Sequence, residues 1–122
     1  NTRLKPTVVL HINHANEINT GLSQGVNRLK QAGIMVLNQS VLLKGINDTS
    51  DQLINLSEKL FDAGIMPYYL HMLDPVQGAS HFDVPKDSAV EIFNQIQAEL
   101  PGFLVPKLVQ ERAGETSKSL IL

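Results

Sequence analysis

Apolar residues follow two alternating patterns along most of the chain. Residues 7–12, 34–43, 65–73 and 103–109 are largely unbroken apolar runs, which are typical of strands buried on both faces. Between these runs, apolar residues recur every three or four positions, as on one face of a helix. The three helical stripes are Ile18, Leu22, Val26 and Leu29, then Leu53, Leu56 and Leu60, then Ala89, Phe93, Ile96 and Leu100. The pattern therefore predicts four strands that alternate with three helices.

Residues that commonly cap helices mark the ends of these elements. Gly33 and Gly64 stand where the first two helices should end, and Thr49 begins a capping-box sequence before the second helix. Residues 30–35 recur in part at 61–66, 31 residues later, which is about the length of a βα unit. Regular alternation of this kind favours parallel strands with right-handed crossovers. The sequence thus predicts an α/β fold.

Four strands and three helices can form a small open sheet or an arc of a barrel, and periodicity does not separate the two. In both architectures ligands bind at the carboxyl ends of the strands. Polar side chains are predicted at those ends, although Asn and Asp also favour ordinary turns there. They are His11, Asn13, His14, Asn38, Gln39, His71, Asp74 and Glu111.

The composition excludes several functional classes. Ten basic and twelve acidic residues give a net charge of −2 without a charge run, which argues against nucleic-acid binding. No apolar stretch approaches the ~20 residues of a membrane span, and no signal peptide is recognisable, so a cytoplasmic location is expected. The chain has no cysteine, which excludes disulfides and cysteine-ligated iron–sulfur clusters within these residues.

A metal site is not predicted, although the histidines invite the question. His11 and His14 could, with His71 and His81, supply nitrogen ligands of the kind that zinc accepts. Residues three apart on a strand point to opposite faces, however, and no carboxylate is placed as an obvious fourth ligand.

Four segments, in this order, resemble the lysine 2,3-aminomutase family of radical S-adenosylmethionine enzymes. They are HINHANEI at 11–18, NQSVLL at 38–43, PYYLHMLD at 67–74 and ERAGETSK at 111–118. The similarity is greatest to the branch that makes β-lysine for elongation factor P. It covers nearly the whole chain but only the C-terminal part of such an enzyme. The resemblance therefore implies a partial (β/α)6 TIM-like barrel, with its last βα units in residues 1–110 and a cofactor-bearing tail in residues 111–122.

The resemblance implies an isomerase that converts L-α-lysine to β-lysine by 2,3-amino migration. Its cofactors would be pyridoxal 5′-phosphate, S-adenosylmethionine and a 4Fe–4S cluster whose ligands lie outside this chain, so the chain alone should be inactive. Its partners would be the lysine substrate and downstream enzymes of the elongation factor P pathway. A cut barrel would leave residues 7–12 and 103–109 as unpaired edges, which favours a homo-oligomer or a self-associating fragment.

The resemblance also assigns cofactor-binding residues. Lys118 would be the catalytic lysine that carries pyridoxal phosphate as a Schiff base. Gln39 would face the amino-acid end of S-adenosylmethionine, where an amide can bind both carboxylate and ammonium groups. His11, Asn13 and His14 would line the cavity in which S-adenosylmethionine and substrate meet. On residue type alone, Lys118 would be an ordinary surface lysine.

Two carboxylates would bind the far ammonium of lysine through charge-assisted hydrogen bonds. Asp74 keeps the residue type of the family, whereas Glu111 is one methylene longer than the usual Asp and on residue type alone could equally be a solvated surface acid. Ala113 and Leu120 replace a glycine and a proline of the family's tail.

The alternative from a different class is a non-catalytic α/β ligand-binding or interaction domain that uses the same strand ends. A conventional pyridoxal enzyme would need a larger domain.

Overall fold

The structure is a computed structural model that describes residues 6–72 and 84–110, together with the backbone of residues 119–120. Two 3-10 turns, Ala15–Glu17 and Gly102–Leu104, accompany the regular elements. In chain order these elements are β1 (Thr7–Leu10), α1 (Thr20–Gln31), β2 (Met35–Leu42), α2 (Ser50–Asp62), β3 (Met66–Met72), α3 (Lys86–Glu99), β4 (Lys107–Gln110) and β5 (Ser119–Leu120).

The five strands form one sheet in the order β1-β2-β3-β4-β5. The first four strands are parallel, and β5 runs antiparallel to β4. The α/β prediction with parallel strands is therefore confirmed. That the sheet is an arc of a partial barrel stays a prediction.

The helices lie on one face of the sheet, as expected when parallel strands follow in order and each crossover has the same hand. All three helices contribute to a single buried cluster with the sheet. Its members include Val26 of α1, Leu56 of α2, Phe93 of α3, Leu42 of β2, Leu70 of β3 and Leu108 of β4. We call the opposite side of the sheet the open face, since within the described residues no helix covers it.

The ends of the helices follow the predicted chemistry. Gly33 and Gly64 have φ values of 81° and 87°, the left-handed conformation in which helices commonly end on glycine. Thr49 caps α2, because its Oγ1 accepts a hydrogen bond from the Gln52 N–H at 3.2 Å.

Two strands differ from the prediction by more than one residue at one end. β1 stops at Leu10 instead of residue 12, because side chains of β2 bind the backbone of Ile12. β4 begins at Lys107, after a 3-10 turn and a proline that has no N–H to donate. The expectation that residues 103–109 form an unpaired edge is wrong, since β5 pairs with β4 through Val109 and Gln110.

A β-bulge interrupts the pairing of β2 with β3. Asn38 is opposite Pro67 and Gln39 is opposite Tyr69, so Tyr68 is an extra residue without a partner on β2. Tyr68 and Tyr69 consequently share the open face, and their ring centroids are 4.3 Å apart.

Candidate functional site

A row of polar and aromatic side chains crosses the open face. Gln39 of β2 meets His71 of β3, with 3.1 Å between Gln39 Oε1 and His71 Nε2. The Tyr69 ring contacts the His71 ring edge-on, at a centroid distance of 5.7 Å. Lys107 Nζ lies 5.8 Å from the centroid of the Tyr68 ring, within the range of a cation–π contact. The sheet thus brings an amide, an imidazole, two phenols and an ammonium together.

The environment of Tyr69 keeps its phenol protonated. A side-chain hydrogen bond with Tyr68 raises the pKa of Tyr69 above its ordinary value, and burial and the charge of Tyr68 act in the same direction. At neutral pH this side chain is therefore a neutral hydrogen-bonding group.

Asn38 faces the helices, opposite to Gln39, and binds the backbone of Ile12. Its Oδ1 accepts from the Ile12 N–H at 2.8 Å, and its Nδ2 donates to the Ile12 carbonyl at 3.0 Å. Nδ2 also donates to Ser40 Oγ at 2.9 Å, and Ser40 Oγ donates to the same carbonyl at 2.7 Å. Asn38 is 1% exposed, so these bonds satisfy a deeply buried amide. We call these contacts the Asn38 clamp; they fix the chain where it leaves β1.

A second amide network joins the loops that follow β1 and β2. Asn13 Oδ1 accepts from the Val41 N–H at 2.9 Å. Asn47 Nδ2 donates to the Asn13 carbonyl at 2.8 Å and to the Val41 carbonyl at 2.9 Å. Asn47 Oδ1 accepts from the Leu43 N–H at 2.8 Å. Asn13 therefore ties the predicted site segment to β2.

His14 caps the 3-10 turn that follows β1. Its Nδ1 accepts from the Asn16 N–H at 3.0 Å, while Glu17 Oε2 accepts from the His14 and Asn13 N–H groups, each at 2.9 Å. A ring nitrogen that accepts is unprotonated, so the ring is in its neutral Nε2–H tautomer in this contact. His11 is exposed just beyond β1. Cofactor contacts of His11, Asn13 and His14 stay predictions.

The other predicted site residues, Asp74, Glu111 and Lys118, lie outside the described residues. Lys118 directly precedes Ser119, which pairs with Gln110 at the carboxyl end of β4.

Across residues 6–72 and 84–110, no three His, Asp or Glu side chains are grouped as metal ligands would be. No helix in the same ranges is long and apolar enough to cross a bilayer.

Several contributors to this region were not among the predicted site residues: Asn47, Tyr68, Tyr69, His71 and Lys107. Asn47 was missed because an asparagine two residues after Gly45 is typical of a turn. His71 was recognised only as a polar residue at a strand end. The available signal was that Gln39 and His71 occupy polar positions within two neighbouring apolar strands, where each needs a partner.

The described fold resembles that of a radical S-adenosylmethionine enzyme. A crystal structure of a radical S-adenosylmethionine methyltransferase from Sphaerobacter thermophilus matches it with a TM-score of 0.57. The match covers 90% of this chain and 35% of that one, at 19% sequence identity, which indicates a shared fold and no more. No protein-family model matches the chain.

Curated sequences give the more particular relationship. The chain is 51% identical over 116 residues to the L-lysine 2,3-aminomutase of Escherichia coli strain K12, covering 95% of this chain and 34% of that protein. It is 50% identical over 119 residues to the enzyme of the same name from Haemophilus influenzae, covering 98% and 35%. The resemblance to the lysine 2,3-aminomutase family is thus confirmed. The chain spans about one third of the length of these relatives.

Proposed function

We propose that this chain is part of a radical S-adenosylmethionine aminomutase that converts L-α-lysine to β-lysine with the help of pyridoxal phosphate. The observation that carries the proposal is about 50% identity over nearly the whole chain to proteins named L-lysine 2,3-aminomutase. A role in the modification of elongation factor P, with the downstream enzymes of that pathway as partners, belongs to the same proposal and rests on the resemblance to that branch.

The polar end of S-adenosylmethionine fits the open face. Its amino-acid group needs hydrogen-bonding partners of both kinds, and Gln39 presents an amide on the strand next to His71. Because all cysteines are absent, the cluster that would cleave S-adenosylmethionine must be held by residues other than these. The chain alone should therefore not isomerise lysine.

The proposed roles of the remaining residues follow the order of the chain. His11, Asn13 and His14 line the S-adenosylmethionine side of the cavity, on a segment held by the Asn38 clamp and by Asn47. Asp74 and Glu111 bind the far ammonium of the substrate. Pyridoxal phosphate, when bound, supplies the electron-withdrawing ring on which the migrating amino group is carried.

Lys118 is the proposed attachment point of pyridoxal phosphate, since it precedes Ser119 at the carboxyl end of β4. Such a lysine must lose its proton to react, which requires a lowered pKa in the assembled site. We expect borohydride reduction of the complete protein with pyridoxal phosphate to leave a phosphopyridoxyl group on Lys118, detected by peptide mass spectrometry. Lys118→Ala should abolish both the adduct and the activity.

Lys107→Ala is the matched control. Lys107 is exposed at the start of β4, where its ammonium contacts the Tyr68 ring, and its removal should leave the adduct on Lys118 unchanged. An adduct on Lys107, with Lys118 unmodified, would contradict the proposed attachment point. Failure of the complete protein to bind pyridoxal phosphate at all would instead favour the non-catalytic α/β binding domain.

A further inference from the structure

The contact between Gln39 and His71 restricts what the Gln39 amide can offer to a ligand. Its Oε1 lies 3.1 Å from His71 Nε2, and an amide oxygen only accepts hydrogen bonds. Nε2 is therefore the donor, which holds for the neutral Nε2–H tautomer and for the charged ring. With Oε1 turned toward His71, the NH2 is the end of the amide that points away from His71, and it only donates hydrogen bonds.

The register of the sheet fixes this pair. Gln39 is opposite Tyr69 and Val41 is opposite His71, so both members lie on the open face of neighbouring strands. The Tyr69 ring contacts the imidazole edge-on and lies against the Tyr68 ring at an interplanar angle of 47°. His71 belongs to β3, and its imidazole contacts Gln39 of β2 and the ring of Tyr69. Because these contacts come from strands, they position the imidazole more rigidly than a loop would.

We propose that His71 is a positioning residue that turns the NH2 of Gln39 toward the ligand, so that Gln39 recognises the carboxylate and not the ammonium of an amino-acid group. The inference rests on the proposed function, in which Gln39 faces the amino-acid end of S-adenosylmethionine. Residue type alone left both ends of that group open. The hydrogen bond from His71 selects the carboxylate.

A pair of ligands tests this selection in the complete protein. S-adenosylmethionine and decarboxylated S-adenosylmethionine differ by the carboxylate alone, and the Kd of each can be measured by isothermal titration calorimetry. Gln39→Leu and His71→Phe should each raise the Kd for S-adenosylmethionine about tenfold, the usual effect of a lost hydrogen bond to a charged group. Both variants should leave the Kd for the decarboxylated compound unchanged. A merely structural role for His71 would weaken both ligands together.

Two control variants sharpen the readout. His71→Gln retains an NH2 donor that can reach Gln39 Oε1, and it should restore the preference for the carboxylate compound. Val41→Ala alters the same face opposite His71 without touching the amide, and it should change both Kd values by the same factor. Should His71→Phe fail to fold by circular dichroism, Gln39→Glu carries the test. The carboxylate introduced by this variant should repel the carboxylate of S-adenosylmethionine and leave binding of the decarboxylated compound unaffected.

Each other outcome overturns the inference in a recognisable way. Equal weakening of both ligands by His71→Phe would show that His71 acts on the fold and not on the orientation of Gln39. If Gln39→Leu weakened both compounds but left unchanged the Kd of a third ligand, an S-adenosylmethionine analogue without the α-amino group, the Gln39 amide would be shown to face the ammonium instead. If the parent protein binds neither compound, the proposed function fails, and the inference fails with it.

Discussion

Beyond the end of β1, side-chain hydrogen bonds from Asn38 take the place of backbone hydrogen bonds between the strands. The regular ladder between β1 and β2 ends at Leu10, and the amide of Asn38 then binds both the N–H and the carbonyl of Ile12. Ile12 is 7% exposed, so without this amide its N–H would be buried and unpaired. The clamp explains how an asparagine can be stable in the middle of an apolar strand.

We therefore expect Asn38→Leu to destabilise the chain even though leucine has a side chain of the same branched shape. The buried Ile12 N–H loses its partner, and the free energy of unfolding should fall by about 2–3 kcal/mol. Urea denaturation followed by circular dichroism measures the change, and faster hydrogen exchange at the Ile12 amide locates it.

Ser40→Ala is the matched control for that prediction. Ser40 donates to the Ile12 carbonyl, which still receives a bond from Asn38, so the loss should be only about 1 kcal/mol. Equal losses in the two variants would mean that the second hydrogen bond of Asn38, to the Ile12 N–H, contributes nothing.

At the residue scale, the sequence predicts that the side chains of Asn38 and Gln39 lie on opposite faces of the sheet, but it does not predict which of them faces the helices. Alternation on a strand places neighbours on opposite faces, and only the packing of α2 decides between them. The hydrogen bond between Gln39 and His71 depends on the register of two strands some 30 residues apart, which no local pattern records. Strand-end polarity indicated where a site would lie, but not which contacts build it.

At the element scale, glycine is required at some positions by the backbone conformation and is not required at others. Gly33 and Gly64 have positive φ, whereas Gly25 lies inside α1, and among the described residues no atom beyond its own turn of helix lies within 4 Å of where its Cβ would be. A Cβ on Gly64 would also come within 2.9 Å of the flexible Lys30 side chain.

Alanine substitutions at these glycines should therefore have opposite signs. Gly33→Ala and Gly64→Ala should each destabilise the chain by about 1–2 kcal/mol, the cost of a left-handed conformation with a side chain. Gly25→Ala should stabilise it by about 0.5–1 kcal/mol through helix propensity. Thermal melting of the three variants checks the order. Destabilisation by Gly25→Ala would mean that α1 packs more closely there than the structure shows.

Element types were predictable because each has a strong local period, and helix ends were predictable because glycine and threonine act locally. The end of β1, the late start of β4 and the pairing of β5 were not. These features depend on side chains or strands distant in sequence, such as Asn38 for β1 and Val109 with Leu120 for β5. The propensity of a short segment does not depend on residues so distant in sequence, so it cannot predict these features.

At the scale of the whole molecule, the open face exposes apolar surface. Val9 is 39% exposed and Met35 is 48% exposed, at the side of the sheet that ends in β1. Among the described strands β1 pairs only with β2, and a strand at the edge of a sheet can pair with another chain. β5 provides a partner for β4 at the opposite edge.

The isolated 122-residue chain should therefore self-associate through β1 and not through β4. Val9→Lys places a charge on this surface and should shift the species seen by light scattering toward monomer. Phe61→Ser is the comparison, because Phe61 is also exposed but packs against Phe103 at a ring distance of 5.4 Å. If Phe61→Ser disperses the chain and Val9→Lys does not, the aromatic pair and not the sheet edge mediates association.

The bulge at Tyr68 bears on how the chain tolerates loss of an amino acid. Removing one residue from a strand normally turns over every side chain beyond the deletion. Here Asn38 is opposite Pro67 and Gln39 is opposite Tyr69, so deletion of Tyr68 should join two stretches that are already in register. The shortened chain should fold with His71 still beside Gln39, at a loss of about 1 kcal/mol for the aromatic contact. Deletion of Leu70, two positions later, should abolish the cooperative melting transition, because it would turn His71 toward the core.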